Sequence, residues 1–343
     1  MIPPSMDQTP PPNLSLQLLE HISSYWISQV IGVVARLRLA DLLASGPLSS
    51  ETLAPQVGAH PDGLYRLMRA GVVAGLFTQV PPRTFTLTPM GACLRSEVPG
   101  TMHDMAIMMT SPGHWLPWSD LFTAVQTGRS TAQKALGTDL WEHYKKNPEE
   151  AAHFDRAMGS FSSFVAAEVA RLHDFSPYAR VADVGGSQGV LLAAVLRAHP
   201  SCRGILFDLP HVIDGARTHV EAEGLGQRMD LVAGSFFEPV IPTAEAYLLK
   251  HILHDWDDAS STSILRQIHH AALPGARLIV VEMVMPDGEP SRTALIDLNM
   301  FVVSDGRERT AREYEALLAS TGWALERITP SPSGVSLIEA RKR

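Results

Sequence analysis

The sequence predicts an α/β protein in which a parallel sheet, wound on both faces, follows a mostly helical N-terminal module. Three observations carry this expectation. From residue 180 onward, short β-branched runs alternate with helical segments, the pattern of a parallel sheet covered by helices on both sides. The first of these runs enters a glycine-rich turn, Val181-Ala182-Asp183-Val184-Gly185-Gly186-Ser187-Gln188-Gly189, and then an apolar helical stretch at 190–196. Strand, loop and helix start together make a place where a ligand can approach the backbone. Ahead of it, residues 39–88 read as helix, turn, helix and two short strands. With 343 residues, 45% of them hydrophobic, the chain is long enough for two domains and a large core.

Composition excludes several classes. The net charge of -8 argues against a large nucleic-acid surface, which needs clustered Lys and Arg to neutralise phosphates. Cys93 and Cys202 are the only cysteines, which suggests neither a disulfide framework nor a zinc cluster and points to the cytoplasm. The proline-rich start lacks a basic segment followed by an apolar one, so residues 1–13 read as a disordered tail and not as a signal peptide. No window approaches the ~18 uninterrupted apolar residues of a membrane helix, and no membrane partner is expected.

In chain order, apolar residues recur at helical spacing through 14–43, including Leu18, Leu19, Ile22, Trp26, Ile27, Val30 and Ile31, with Gly32 as a weak point or a close contact. Two readings stand: a dimer interface, or a helix buried within its own chain. Residues 48–53 place a serine cap before an apolar face, and Pro61 opens a second helix carrying Leu64, Leu67, Met68 and Val72. Strands at 77–80 and 83–88, broken by Pro81-Pro82, complete a winged-helix pattern. Its recognition-helix position offers only Arg66 and Arg69 as cations, a poor basis for DNA contact. The helical segment 101–176 is rich in Met and aromatic residues, among them Met105, Met108, Trp115, Trp118, Trp141, Phe154 and Met158. Adaptable Met beside rigid rings suits a pocket for a flat organic ligand, and a position between two modules favours one.

In the second module strands are expected at 180–184, 202–207, 229–233, 246–250, 277–283 and 335–340, with ligands at the C-terminal strand ends. Gly185, Gly186 and Gly189 miss the G-x-G-x-x-G spacing that brings a backbone up to a pyrophosphate, so the cofactor lays no phosphate on this loop. Asp208, followed by Leu209, lies about twenty residues further on, where an acidic side chain accepts hydrogen bonds from ribose hydroxyls. Ser235 and Phe236 follow the third strand, placed to reach an adenine. The fourth strand ends in Lys250-His251-Ile252-Leu253-His254-Asp255-Trp256-Asp257-Asp258. A histidine at a strand end before acidic residues is a general-base candidate, and chemistry alone does not choose between His251 and His254. No third Cys or His follows nearby, so no metal is expected.

Asp183-Val184-Gly185-Gly186, Phe207-Asp208-Leu209-Pro210, Gly234-Ser235-Phe236-Phe237, the stretch from Lys250 to Asp258, and Gly306-Arg307-Glu308-Arg309-Thr310 resemble, in order, the motifs of the caffeate/hydroxyindole type of small-molecule O-methyltransferases. These are class I S-adenosylmethionine enzymes with an N-terminal winged-helix dimerisation domain, and the similarity covers residues 14–343. The resemblance implies a Rossmann-like class I methyltransferase domain at 177–343. It also implies a mostly helical winged-helix dimerisation domain at 14–100 and a helical linker at 101–176 that contributes to the substrate pocket. S-adenosyl-L-methionine becomes the expected cofactor, S-adenosyl-L-homocysteine its product, a homodimer the assembly, and nucleic acid no partner. His254 takes the general-base position, flanked by Glu282 and Glu308. A carboxylate accepting the imidazole N–H fixes the tautomer and steadies the imidazolium. Gly185, Gly186, Gly189, Asp208, Leu209, Ser235, Phe236 and Lys250 are the expected cofactor residues. Met108, Trp115, Phe154, Met158, Asp255, Asn299 and Met300 are the expected substrate residues. Two departures stand out: Ser187 where the family more often has a third glycine, and Ser235 where many members have aspartate. The expected reaction is metal-independent methylation of a hydroxyl on an aromatic natural product of bacterial type. The alternatives are an S-adenosylmethionine-binding hydroxylase or pericyclase on the same fold and, more remotely, a winged-helix regulator.

Overall fold

The computed structural model describes residues 13–288 and 290–343, so the expected tail lies, except for Asn13, outside the described residues. The chain divides into two compact units between Thr110 and Ser111. The segment 101–176, expected as a linker of its own, is split by that boundary. Helix His103–Met109 belongs to the first unit, and the helices from Pro112 to Leu172 belong to the second.

In the first unit, the Asn13 side chain accepts from the Leu16 N–H and starts helix Leu14–Ser23, which is followed by helix Tyr25–Arg36. Leu18, Leu19, Ile22 and Trp26 are each more than half exposed, at 59, 56, 64 and 61%. The first half of the apolar stretch is therefore not buried within its own chain, whereas Val30, Ile31 and Leu39 pack in the core of the unit. Gly32 is a close contact, because a Cβ there would come within 2.2 Å of Thr110 Oγ1. Strands β1 (Leu48–Ser49), β2 (Phe77–Val80) and β3 (Thr84–Leu87) pair antiparallel in the order β1-β3-β2 beside helices Ser50–Gln56 and Pro61–Val73. Ser49 caps the first of these helices through the Thr52 N–H, and Leu39, Leu53, Leu64, Met68, Phe77 and Phe85 fill the core. Of the two cations singled out, Arg66 pairs with Asp62 at 3.1 Å and Arg69 lies 5.6 Å from the Tyr65 ring.

The second unit is built on β4 (Arg180–Val184), β5 (Arg203–Asp208), β6 (Met229–Ala233), β7 (Ala246–Lys250) and β8 (Arg277–Glu282). The two-residue strands β9 (Val284–Met285) and β10 (Arg309–Thr310) pair with each other, and β11 (Trp323–Pro330) and β12 (Ser336–Lys342) complete the main sheet. Its order is β11-β12-β8-β7-β4-β5-β6, parallel except for β12. The central strands are buried on both faces, which is why they read as unbroken apolar runs. One face packs on helices Pro148–Leu172 and Val190–Ala198 through Val165, Val169, Leu191 and Val195. The other packs on helices Asp258–Ala271 and Ala311–Ser320 through Ile264, Leu265, Leu318 and Trp323. Strand β11 was not expected: a register shift between Leu325 and Arg327 breaks its alternation, and Glu326 and Arg327 interrupt its apolar pattern.

From β4 the chain adds β5 and β6 on one side and then returns to place β7 on the other. In sheets of this kind the ligand edge lies at such a switch, here the C-terminal ends of β4 and β7. Trp323, fully buried with its indole N–H donating to the Leu265 carbonyl at 3.3 Å, closes the layer behind β8 and β12. Trp323→Ala is expected to destabilise the second unit by about 3–5 kcal/mol, read as a lowered midpoint in chemical denaturation followed by circular dichroism; an unchanged midpoint contradicts the packing assignment.

Candidate active site

Strand β4 runs into Gly185, whose φ of +74° suits glycine and whose N–H extends the ladder to the Phe207 carbonyl at 2.8 Å. Ser187 also adopts a left-handed conformation, with φ +52°, a cost of roughly 1–2 kcal/mol for a residue with a Cβ. Its N–H donates to Asp208 Oδ2 at 2.9 Å, and the Leu209 N–H donates to Asp208 Oδ1 at 2.7 Å. The carboxylate at the end of β5 therefore ties the two neighbouring loops together, and burial pushes its pKa up. Gly189 opens the helix that follows, Val190–Ala198. Beyond β6, the Ser235 hydroxyl accepts from the Phe237 N–H at 3.3 Å, while Phe236 and Phe237 lie 6.0 and 4.8 Å from the Trp256 ring.

Beneath the loop lies Asp183, 1% exposed, with an Oδ2 that has no hydrogen-bond partner among the described residues. A Cβ on Gly186 would come within 2.7 Å of that oxygen, so the loop can lie directly over the carboxyl only as glycine. Burial raises Asp183 to about 7 against the pull of Lys250. Lys250, at the end of the adjacent β7, is itself lowered by burial to about 8.

The chain then makes a single 3-10 turn, Leu253–Asp255, that carries His254. Glu282, fully buried at the end of β8, accepts from the N–H groups of Ile252, Leu253 and His254 at 3.1, 2.7 and 3.3 Å through one oxygen. Its other oxygen accepts the Tyr314 hydroxyl. Of the two glutamates expected beside the ring, Glu282 grips the backbone of the turn, because β8 is the parallel neighbour of β7 and ends beside the chain that leaves it, and it acts on the imidazole through its charge. From the other side, Arg309 donates to the Leu253 and Trp256 carbonyls at 2.8 and 3.0 Å. The Arg307 N–H donates to the His254 carbonyl at 2.8 Å. This approach leaves no room for a side chain at Gly306, where a Cβ would meet that same carbonyl oxygen at 2.1 Å.

Glu308 does reach the imidazole: its Oε1 lies 2.8 Å from His254 Nδ1. His254 Nε2 is 3.6 Å from Asp255 Oδ1, which makes Asp255 the second carboxylate beside the ring. Burial lowers the affinity of His254 for a proton, but Asp255, the Glu308 hydrogen bond and Glu282 outweigh it and raise the pKa to about 9. Burial raises Asp255 to about 6. His251, with φ +53° and its ring 4.9 Å from that of His254, is pushed well down by burial and by the neighbouring Lys250 and His254. The two histidines thus differ in environment: His254 has a carboxylate on Nδ1 and is raised, whereas His251 is lowered. Among the described residues no group of three or more His, Cys, Asp or Glu is placed to hold a metal ion.

An aromatic cluster adjoins this turn. Trp141 stacks on Trp256 at 6.3 Å and meets Phe154 edge-on at 5.8 Å, and Trp118, Phe154 and Met300 share one apolar cluster with it. Trp118 Nε1 donates to Asn299 Oδ1 at 2.7 Å. Trp115 lies on the same helix as Trp118, Pro112–Ser119, and Met158 lies one turn beyond Phe154 on helix Pro148–Leu172. Met108 is buried on helix His103–Met109 of the first unit. Asp183, Arg309 and Trp256 were not among the expected site residues, although each stands inside one of the quoted motifs; Tyr314 had no signal beyond its helical spacing.

Glu308→Gln removes a carboxylate that favours the imidazolium, so the pKa of His254 is expected to fall by roughly a unit or more. A ring-nitrogen NMR titration of His254 measures it, and a curve matching that of the wild type removes Glu308 from this role.

Residues 118–324 match the model of the O-methyltransferase domain, and residues 19–97 match that of the O-methyltransferase dimerisation domain. The chain is similar to phenazine O-methyltransferase of Lysobacter antibioticus, 40% identical over 329 residues that cover 96% of each chain. It is also similar to the mitomycin biosynthesis 6-O-methyltransferase of Streptomyces lavendulae, 36% identical and covering 92% of this chain and 91% of the relative. Among solved structures it resembles an O-methyltransferase from neocarzinostatin biosynthesis in complex with S-adenosylmethionine and 2-hydroxy-5-methyl naphthoic acid. That resemblance has a TM-score of 0.81 at 33% identity and covers 92% of this chain and 96% of that one. The chain belongs to the O-methyltransferase family, as an S-adenosylmethionine-dependent methyltransferase whose class I domain follows an O-methyltransferase dimerisation domain.

Proposed function

We propose that the protein methylates a hydroxyl of an aromatic small molecule with His254 as general base, and that the 2.8 Å contact between His254 Nδ1 and Glu308 carries this reading. The residues at the strand ends suit the cofactor. Asp208 offers its remaining lone pairs to ribose hydroxyls, Phe236 and Ser235 suit adenine, and the buried Asp183 and Lys250 match the ammonium and carboxylate of an amino-acid end. S-adenosylmethionine supplies an already activated methyl group, so the chain needs only to align an oxygen nucleophile and take up its proton.

With Nδ1–H held by Glu308, Nε2 is the ring atom that accepts the hydroxyl proton. Glu308 and Asp255 then stabilise the imidazolium. Because the same carboxylates raise His254 to about 9, the base form is scarce near neutrality and turnover rises as pH climbs toward that value. Trp115, Phe154, Met158, Asn299 and Met300 are the proposed substrate contacts. The exposed stripe of Leu18, Leu19, Ile22 and Trp26 is the proposed homodimer surface, consistent with the dimerisation-domain match. Two unpaired cysteines fit a reducing, cytoplasmic setting, and no described helix is long and apolar enough to cross a membrane.

Mass spectrometry of hydroxylated aromatics incubated with the protein and S-adenosylmethionine is expected to show a gain of one methyl with stoichiometric S-adenosylhomocysteine; product formed without it points to another reaction on the same fold. His254→Ala should lower turnover about a hundredfold or more and leave cofactor affinity, measured by calorimetry, nearly as it was. Wild-type turnover in that variant removes His254 as the base. Trp26→Glu combined with Leu19→Glu is expected to shift the sedimentation equilibrium from dimer to monomer, and a persistent dimer places the interface elsewhere.

A further inference from the structure

Tyr314 is fully buried near the start of helix Ala311–Ser320, in the apolar cluster that holds Ile264, Leu317, Leu318 and Trp323. A phenylalanine ring would suit that cluster as well, so the hydroxyl is the part that needs a reason. It donates to Glu282, on the oxygen that the turn leaves free. The donor is held in place from its own chain. Thr310 and Glu313 form a capping box that fixes the helix start, and Arg309 just before it is tied to the carbonyls of the His254 turn. One short segment therefore grips the turn at its carbonyls and, through Tyr314, reaches the carboxylate on its N–H side.

The donors that reach Glu282 among the described residues are all neutral: the N–H groups of Ile252, Leu253 and His254 on one oxygen and the Tyr314 hydroxyl on the other. A carboxylate shut off from water holds its charge only as far as such donors replace its hydration. That charge acts in turn on His254. The other charged and titratable groups around the ring are Asp255 on its own turn, Lys250 and His251 at the end of β7, and Glu308 and Arg309 at β10. Farther out stand Asp297, which accepts the Glu308 N–H, and Tyr144, which feels Asp255.

We infer that Tyr314 is a positioning residue for proton transfer: by donating to Glu282 it keeps that carboxylate charged and seated against the turn, and so sets both the place of His254 and its affinity for a proton. For turnover, this rests on the reading of His254 as general base.

Tyr314→Phe keeps the ring and deletes the bond. By ring-nitrogen NMR, His254 is expected to titrate lower by roughly half a unit or more, because a less stable charge on Glu282 gives the imidazolium less support. The base form then appears at lower pH, so the rising limb of the turnover profile moves toward acid by a similar amount. The plateau kcat should fall about fivefold, the worth of one hydrogen bond, with KM for S-adenosylmethionine nearly unchanged. Glu282→Gln completes a double-mutant cycle. It removes the charge outright, so adding Tyr314→Phe to it should leave the His254 titration where Glu282→Gln alone puts it. Circular dichroism and S-adenosylhomocysteine affinity report folding of each variant. Should Tyr314→Phe not fold, ring-carbon NMR of labelled tyrosine in the wild-type protein reads the contact directly. Burial and Glu282 push the Tyr314 phenol well above its ordinary value, so it should stay protonated at about pH 11, and ionisation near ~10 overturns the contact. A His254 titration unmoved by Tyr314→Phe, or shifts that add in the double variant, overturns the inference and leaves the hydroxyl as packing. A titration that moves while the turnover profile stays in place supports the hold of Tyr314 on His254 and removes His254 as the base.

Discussion

The candidate site depends on one buried carboxylate that holds the backbone of a turn. Glu282, without exposure to water, collects three backbone N–H groups from the turn after β7 and the hydroxyl of Tyr314. An isolated buried charge costs several kcal/mol, and it is tolerated only when its lone pairs are filled by donors. Those donors are the backbone that carries His254, so the requirement to satisfy Glu282 becomes a requirement that the turn adopt one shape. Arg309 imposes the complementary demand on the carbonyl side of the same turn. An anion on the N–H side and a cation on the C=O side leave little freedom for the residue between them.

The same economy shapes the electrostatics at the C-terminal strand ends. Asp183, Lys250, Asp255, Glu282, Glu308 and His254 are all withdrawn from bulk water, where each charge interacts more strongly than on a surface. Acidic groups outnumber the cations in this set, and the imbalance appears as the raised proton affinity of His254, while Asp255 is raised first by burial. The imidazole is thus biased toward the charged form it must take when it accepts a proton. His251, three residues earlier, is biased the opposite way by burial and by the neighbouring Lys250 and His254.

Much of this was legible in the sequence, for a physical reason. Central parallel strands are buried on both faces, so they stand out as apolar runs, and the residues that follow them, Gly185, Asp208, Ser235 and Lys250, fall at the ligand edge by topology alone. Strand β11 escaped because its bulge and its Glu326 and Arg327 destroy the periodicity on which the reading depends. The hydrogen bonds of Glu282 were not legible for another reason. Sequence places a glutamate at a strand end, but whether the carboxylate turns to a side chain or to a neighbouring backbone depends on strand order. Only the adjacency of β7 and β8 decides it. The Trp118 to Asn299 bond joins residues far apart in the chain, and no local pattern announces it.

Held from the sheet through Glu282, the His254 turn is anchored separately from the helices Pro112–Ser119 and Pro148–Leu172 that carry most of the aromatic wall. The chemistry is therefore modular. A change at Trp118, Phe154 or Met158 removes none of the hydrogen bonds that hold the turn, so the wall can diverge while the surroundings of His254 stay fixed.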